Sequence, residues 1–293
     1  MHTMYDPAEK GFDEALRAID RAQLVLAREL SHSAGSRLVL KGGMAMRCAV
    51  GSMRLTKDID FDRSPGMTRA ALKGQVNSAL KSAAALTGLR SPKVDITKDT
   101  DTTCRARLAG VLASGKSVRF EVEVSGRSEP DWPHVMQQTV SPPARYTMAP
   151  FVVQVYGPQM LAATKIFAAM SANRNAPRDL LDLYDLLGTG ANPAQILSAL
   201  SLDELQVIAQ EALGKLTLST FELAQQELLP FIAPAQRAQL DVARWETMTL
   251  EVAQAVGQWA EQAVSLKLKA TQAQAQELQP AAVRASAPRG GYV

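Results

Sequence analysis

The 293-residue chain has only two cysteines, Cys48 and Cys104. One possible pair does not make a disulfide framework, and no Cys/His cluster offers the ligand spacing of a zinc site. Long apolar runs are also missing, since the hydrophobic stretches are short and interrupted, and this excludes a transmembrane helix. The opening Met-His-Thr-Met-Tyr-Asp-Pro has no basic segment leading into an apolar run, so no secretory signal is read there. A cytoplasmic protein is the expectation. Net charge is small, at +3, but uneven: residues 1–190 carry 25 Lys+Arg against 19 Asp+Glu, and residues 191–293 carry 7 against 10. A mildly basic N-terminal portion suits a nucleotide or polyanion, and a merely soluble surface equally well. A hydrophobic fraction of 46% with 21% charged residues is ordinary for a globular protein, and the length allows one large domain or two modest ones.

What is present is organised in two parts. Residues 7–34 read as an amphipathic helix, with Leu16, Ile19, Leu24, Leu26 and Leu30 at roughly helical spacing. A short strand at 38–40 leads into Gly42-Gly43, a helix over 43–50, and a strand over 56–62. An Ala- and Leu-rich helix over 67–87 ends at Gly88, and strands are expected at 92–97 and 103–112. Lys116 to Ser125 is the clearest strand, with Val118, Phe120, Val122 and Val124 alternating with Arg119, Glu121 and Glu123. A proline-rich loop (Pro130, Pro133, Pro142, Pro143) and a last strand at 151–156 follow. From Pro158 onward everything reads as helical, beginning with 159–172 and 177–188. The expectation is an α+β protein: an α/β part over 1–157 with a mixed sheet, a helical part over 158–270, and a low-complexity tail over 271–293 that reads as disordered. Trp245 and Trp259, 14 residues apart, fall on one helical face and read as core or dimer contacts.

Four groups of residues can carry chemistry. Asp58 and Asp60 lie two apart on a strand, so they share a face while Ile59 and Phe61 turn the other way. Two carboxylates on one face repel unless a cation lies between them, and the natural one is a hard divalent ion carrying phosphates. Gly42 and Gly43 free the backbone to approach phosphate, ahead of a helix that offers its N-terminal amides. Glu121 and Glu123 share one face of their strand; they form either a polar outer face or a third metal carboxylate. Lys165, with Arg174, Arg178, Asp179 and Asp182, is either a snorkelling lysine with helix-start charges or a cationic counterpart to the aspartates.

These blocks resemble the AbiEii/AbiGii-type nucleotidyltransferase toxins of the DNA polymerase β-like superfamily. Leu40-Lys41-Gly42-Gly43 leading to Arg54-Leu55-Thr56-Lys57-Asp58-Ile59-Asp60-Phe61 is similar to the family's Lys-Gly-Gly and Arg-x-Ser-x-Asp-hydrophobic-Asp pattern. Glu121-Val122-Glu123-Val124-Ser125-Gly126-Arg127 resembles its Lys-Ile-Glu-Ile-Asn-x-Arg strand, and that register selects Glu123 over Glu121, leaving Glu121 at the edge of the site or in solvent. Leu161-Ala162-Ala163-Thr164-Lys165 through Arg174 to Arg178-Asp179-Leu180-Leu181-Asp182-Leu183 resembles its Leu-Ala-x-Lys and Arg-Asp-x-x-Asp-Leu helices. Met44, Lys57 and Glu121 depart from the pattern, which commonly has a small hydroxyl residue, an acid and a lysine there.

The resemblance implies a Mg²⁺- or Mn²⁺-dependent nucleotidyltransferase that uses an NTP. It acts as the toxin of a toxin–antitoxin or phage-defence system, with an RNA acceptor such as tRNA and an antitoxin partner, and with no membrane involved. By the same resemblance Asp58, Asp60 and Glu123 hold metal; Lys41, Gly42, Gly43, Arg54, Thr56, Arg174 and Arg178 bind nucleotide. Lys165 neutralises the triphosphate, and Asp179 orients Lys165 or the acceptor. Two alternatives stay open: the same chemistry on a small molecule or a protein side chain, and a noncatalytic nucleotide-binding module. Phosphoryl chemistry further leads us to expect both parts of the chain to clasp one cleft, with Asp58, Asp60, Glu123 and Lys165 lining it.

Overall fold

A computed structural model of the protein describes residues 2–172 and 174–277. Its strands, in chain order, are β1 (His2–Thr3), β2 (Leu38–Lys41), β3 (Asp58–Arg63), β4 (Arg90–Thr100), β5 (Thr103–Val111), β6 (Ser117–Ser125), β7 (Val135–Ser141) and β8 (Phe151–Tyr156). They form one mixed sheet in the order β1-β7-β8-β2-β3-β6-β5-β4. The central pair β3 and β6 runs parallel, with Asp58 opposite Glu121 and Asp60 opposite Glu123. β2 lies antiparallel on the other side of β3, and β5 antiparallel on the other side of β6.

Alternation divides the sheet into an apolar face and a charged one. Val118, Phe120, Val122 and Val124 of β6 and Ile59 and Phe61 of β3 are buried. They pack beneath two helices, α1 (Glu14–Ala34) and, farther along the chain, α3 (Arg69–Leu86), whose Leu24, Leu26, Leu30, Val76 and Leu80 complete the core. Side-chain caps set where these helices begin. Asp13 accepts from the Leu16 amide, so α1 starts at Glu14 and not at residue 7, and Thr68 caps α3 in the same way. Between β2 and β3 the chain makes a single turn of helix, α2 (Gly42–Ala45), which widens into a π turn over Met46–Val50.

After Gly157 the chain is helical, as Pro158 opens α4 (Pro158–Met170) and Pro177 opens α5 (Pro177–Gly188), both with proline in the first turn, where its missing N–H costs nothing. Then come α6 (Ala194–Leu197), α7 (Leu202–Leu216), α8 (Phe221–Glu227), α9 (Pro234–Arg237) and the long α10 (Val242–Glu277). Ser201 and Glu204 form a reciprocal capping box at the head of α7. Trp259 packs into one helical cluster with Ile166, Leu205 and Val256, and Trp245 into a second with Leu180, Leu228 and Met248, so both tryptophans are core residues of this chain.

Two further features depart from the expectations. The proline-rich loop encloses a strand, β7, which pairs with β8 along six residues. The segment expected to be disordered from 271 begins as helix, because α10 continues to Glu277; residues 278–293 lie outside the described residues. Cys48 and Cys104 are both free and buried. Among the described residues no helix is long and apolar enough to cross a membrane.

Candidate active site

A cleft of about 420 Å³ opens on the charged face of the sheet, where the strands meet α4 and α5. Its lining contains Gly42, Gly43, Thr56, Asp58, Asp60, Glu121 and Glu123 from the sheet side, together with Arg54 and Arg105. Lys165, Arg174 and Arg178 enter from the helices. Residues from the two parts of the chain therefore meet at one place, as phosphoryl chemistry requires.

The glycine turn is fitted against the aspartates. Gly42 has φ +67°, and a Cβ there would stand 2.7 Å from Oδ2 of Asp60. A Cβ on Gly43 would meet Oγ1 of Thr56 at 2.9 Å and a guanidinium nitrogen of Arg54 at 3.0 Å. Both glycines are thus imposed by close approach of the side chains around them. Burial pushes the Asp60 carboxyl up to about 6; Lys41 counteracts this, and the neighbouring Asp58 and Glu123 charges add to it. Asp58 is raised too, chiefly by burial.

Hard carboxylate oxygens are the donor chemistry that Mg²⁺ takes, and this ion commonly uses one or two protein carboxylates and completes its shell with phosphate and water. Asp58 and Asp60 fit that role. Among the described residues no three His, Cys, Asp or Glu side chains are drawn tightly enough together to cage an ion unaided. Glu123, expected as the third metal carboxylate, faces Asp60 across the sheet, but its carboxylate is held by Arg105 from β5, with Nε 2.9 Å away, and by Arg127 at 3.4 Å. Glu121, expected at the edge or in solvent, instead lines the cleft on the Asp58 rung and pairs with Arg107 at 2.6 Å. The reason is strand geometry: parallel pairing sets each glutamate beside one aspartate, so both reach the site.

The helical side is built as a chain of ion pairs. Lys165 Nζ donates to Asp179 at 2.9 Å and contacts Asp182 at 2.6 Å, and both carboxylates are fully buried. Asp182 also receives two 2.6 Å bonds from Arg54, which crosses from the segment before β3. Burial alone would raise the Asp182 carboxyl, but Arg54 and Lys165 hold it below the usual carboxylate range. Arg174 closes the chain on Asp179 at 2.7 Å. Arg54, expected to grip nucleotide, is therefore committed to joining the two parts of the protein, although its side chain still forms cleft wall. Asp179 lies behind Lys165 and outside the lining, in the place of a residue that orients it. Lys41 also lies outside the lining and bonds Asp62 at 2.6 Å, with Tyr156 donating to the other oxygen of the same carboxylate. Arg178 is the one cation of the cleft that pairs with no carboxylate among the described residues.

Sequence reasoning missed Arg105. Its signal was available: Arg105 and Arg107 alternate on β5 with the same period as Glu123 and Glu121 on β6, and a hairpin joining those strands faces them pairwise. Asp182 was visible within its cluster, but its partner Arg54 stands 128 residues away.

Comparison with known proteins gives one family. The family model described as "Nucleotidyl transferase AbiEii toxin, Type IV TA system" matches residues 24–269. The crystal structure of JHP933 from Helicobacter pylori is similar at 18% identity and a TM-score of 0.55, covering 92% of this chain and 100% of that one. MenT4, a nucleotidyltransferase toxin of Mycobacterium tuberculosis, aligns at 16% identity over 89% of this chain and 96% of its own, with a TM-score of 0.45, too loose to carry an argument. No curated protein matches the sequence.

Proposed function

Because the chain belongs to the AbiEii nucleotidyltransferase toxin family, we propose that it transfers a nucleotide from an NTP to an RNA acceptor, tRNA foremost, with Mg²⁺, and that an antitoxin restrains it. The observation that carries the reading is the joint lining of one cleft by Asp58, Asp60, the Gly42-Gly43 turn and Lys165. An acceptor hydroxyl oxygen forms a bond to the α-phosphorus as the bond to the β-phosphate oxygen breaks, and pyrophosphate leaves. Bound Mg²⁺ supplies charge compensation for the phosphates. Asp58 and Asp60 hold it, and the glycine turn lets backbone amides approach the phosphates. Lys165, aligned by Asp179 and Asp182, and Arg178, which no carboxylate among the described residues holds, offset the charge that gathers on the leaving group. Glu123 takes the hydroxyl proton once Arg105 yields its carboxylate.

An RNA acceptor is favoured by the basic excess of residues 1–190, which carry 25 Lys+Arg against 19 Asp+Glu. The test is incubation with each α-³²P-labelled NTP and total RNA, with and without Mg²⁺. Label is expected in RNA only with Mg²⁺ present and only with both aspartates intact. Label on protein or on small molecules, with none on RNA, would overturn the acceptor assignment.

A further inference from the structure

Beside the cleft lies a second chamber, of about 320 Å³, between the segment leading into β3 and the end of α8. The two cavities share Arg54, Thr56 and Arg178 as a common wall. Beyond that wall the chamber presents the half-buried Phe231, the buried Leu55 and Leu228, and the exposed Lys57, Gln226 and Glu227. Its frame is fixed, because the Leu55 amide bonds the Phe231 carbonyl at 2.8 Å and Arg54 bridges to Ile232 as in an antiparallel sheet.

From this we infer that the chamber is the nucleobase subsite for the incoming NTP, an assignment that rests on the nucleotidyltransferase reading of the neighbouring cleft. A nucleotide has a charged end and a flat, apolar-faced end with a polar edge, joined by a short sugar. The two cavities reproduce that order. Asp58 and Asp60 lie at the phosphate end. Arg178 stands at the junction, in the wall that the two cavities share. Thr56 stands beside it, with its hydroxyl bonded to the Asp58 carbonyl at 3.1 Å. At the far end the Phe231 ring gives a base a surface to stack on, and base–aromatic stacking tolerates any base. The Gln226 amide carries both donors and an acceptor, so it can read a base edge and supply preference among bases. Arg178 is free to meet a phosphate because no described carboxylate holds it, unlike Arg54, Lys165 and Arg174.

The experiment is equilibrium binding in Mg²⁺ buffer, with α,β-methylene analogues of ATP, GTP, CTP and UTP and with inorganic tripolyphosphate as probes. Wild-type protein, Phe231→Ala and Gln226→Leu are compared. Gln226 is exposed and Phe231 only half-buried, and equal melting temperatures would confirm that the variants fold. Wild-type protein is expected to bind the nucleotide analogues more tightly than tripolyphosphate and to rank the four bases. Phe231→Ala should weaken all four analogues about tenfold, the effect of losing one stacking surface. Gln226→Leu should narrow the spread among them. Neither should change tripolyphosphate binding. The subsite is refuted if both variants bind the analogues as wild type does, or if tripolyphosphate binding falls in step. It is equally refuted if analogue binding holds while the KM for acceptor RNA rises, because the chamber would then hold the acceptor end. Failure of wild-type protein to bind any of these probes would instead count against the transferase reading of the cleft, and the subsite would fall with it.

Discussion

Replacing Asp182 by asparagine should be among the most damaging single-atom changes available in this protein. The side chain is fully buried, and its carboxylate receives two 2.6 Å bonds from Arg54 and one 2.6 Å contact from Lys165. Arg54 and Lys165 are themselves only 4% and 9% exposed, so neither can turn to water when the negative charge goes. Asparagine keeps the shape but points an amide N–H₂ at one of these donors, strands Arg54 without its carboxylate, and leaves Lys165 to share Asp179 with Arg174. Breaking a buried pair in this way costs roughly 3–5 kcal/mol. For a protein of this size that corresponds to a fall in melting temperature of about 6–20 °C, and it is a large part of a total stability of about 5–15 kcal/mol. Urea unfolding without metal or nucleotide would measure it. A double-mutant cycle with Arg54→Met and Asp182→Leu separates the pair from its surroundings. Each single change should be severe and the double change much milder than their sum, because removing both charges leaves none uncompensated. The argument would be refuted by an Asp182→Asn cost below about 1 kcal/mol, the range of exposed surface pairs, or by single effects that simply add.

Asp58→Asn and Asp60→Asn should each abolish nucleotide transfer while the metal-free melting temperature holds or rises, since each charge is a liability without its cation; near-normal transfer by either variant would exclude the two-carboxylate metal site. Gly42→Ala forces a left-handed conformation on a residue with a Cβ, at about 1–2 kcal/mol, and drives that Cβ against Asp60, so transfer should fall by about 100-fold; a variant with wild-type rate and urea midpoint would show the turn to be slack. Glu123→Gln should cost about 100-fold in rate, the scale of a lost general base, and more than Glu121→Gln; the reverse ranking, measured under saturating NTP, would move the base to the Asp58 rung. Asp185, bonded to Ser52 at 2.7 Å, is pushed by burial to about 6. Its folded form keeps a proton that the unfolded chain has lost, so this contribution to stability is complete below about pH 4 and is lost as pH rises to about 6, by at most about 3 kcal/mol. Asp185→Asn should flatten that part of the stability–pH curve, and an unchanged curve would remove Asp185 as its source.

The readable parts of the fold were those in which local pattern and tertiary environment agree. Val118 to Val124 alternates cleanly because one face of β6 meets the core and the other the cleft. Pro158 and Pro177 mark helix starts whatever surrounds them. β7 was hidden because Val135-Met-Gln-Gln-Thr-Val-Ser141 is mostly half-buried, with little apolar alternation to read. Its pairing with β8 makes it a strand, and that pairing is not local information. Within the site, Asp58, Asp60 and the glycines were legible from spacing. The fate of each cation was not, because Arg54, Arg105 and Lys41 are assigned by partners 128, 18 and 21 residues away. The same residue type can grip a phosphate or hold a carboxylate, and only the fold decides.

The parallel pairing of β3 with β6 also bears on how the chain avoids misfolding. The partners Asp58 and Glu121 are far apart in sequence, so this contact closes late and could be made wrongly. A slip of one residue would turn Glu121 and Glu123 inward beneath α1 and leave Val122 and Val124 facing water. Burying unpaired carboxylates there is so costly that the misaligned sheet cannot persist. Carboxylates placed for chemistry thus act as a checksum on strand alignment, and neutralising them should be felt first as slower or less faithful refolding, before any loss of equilibrium stability.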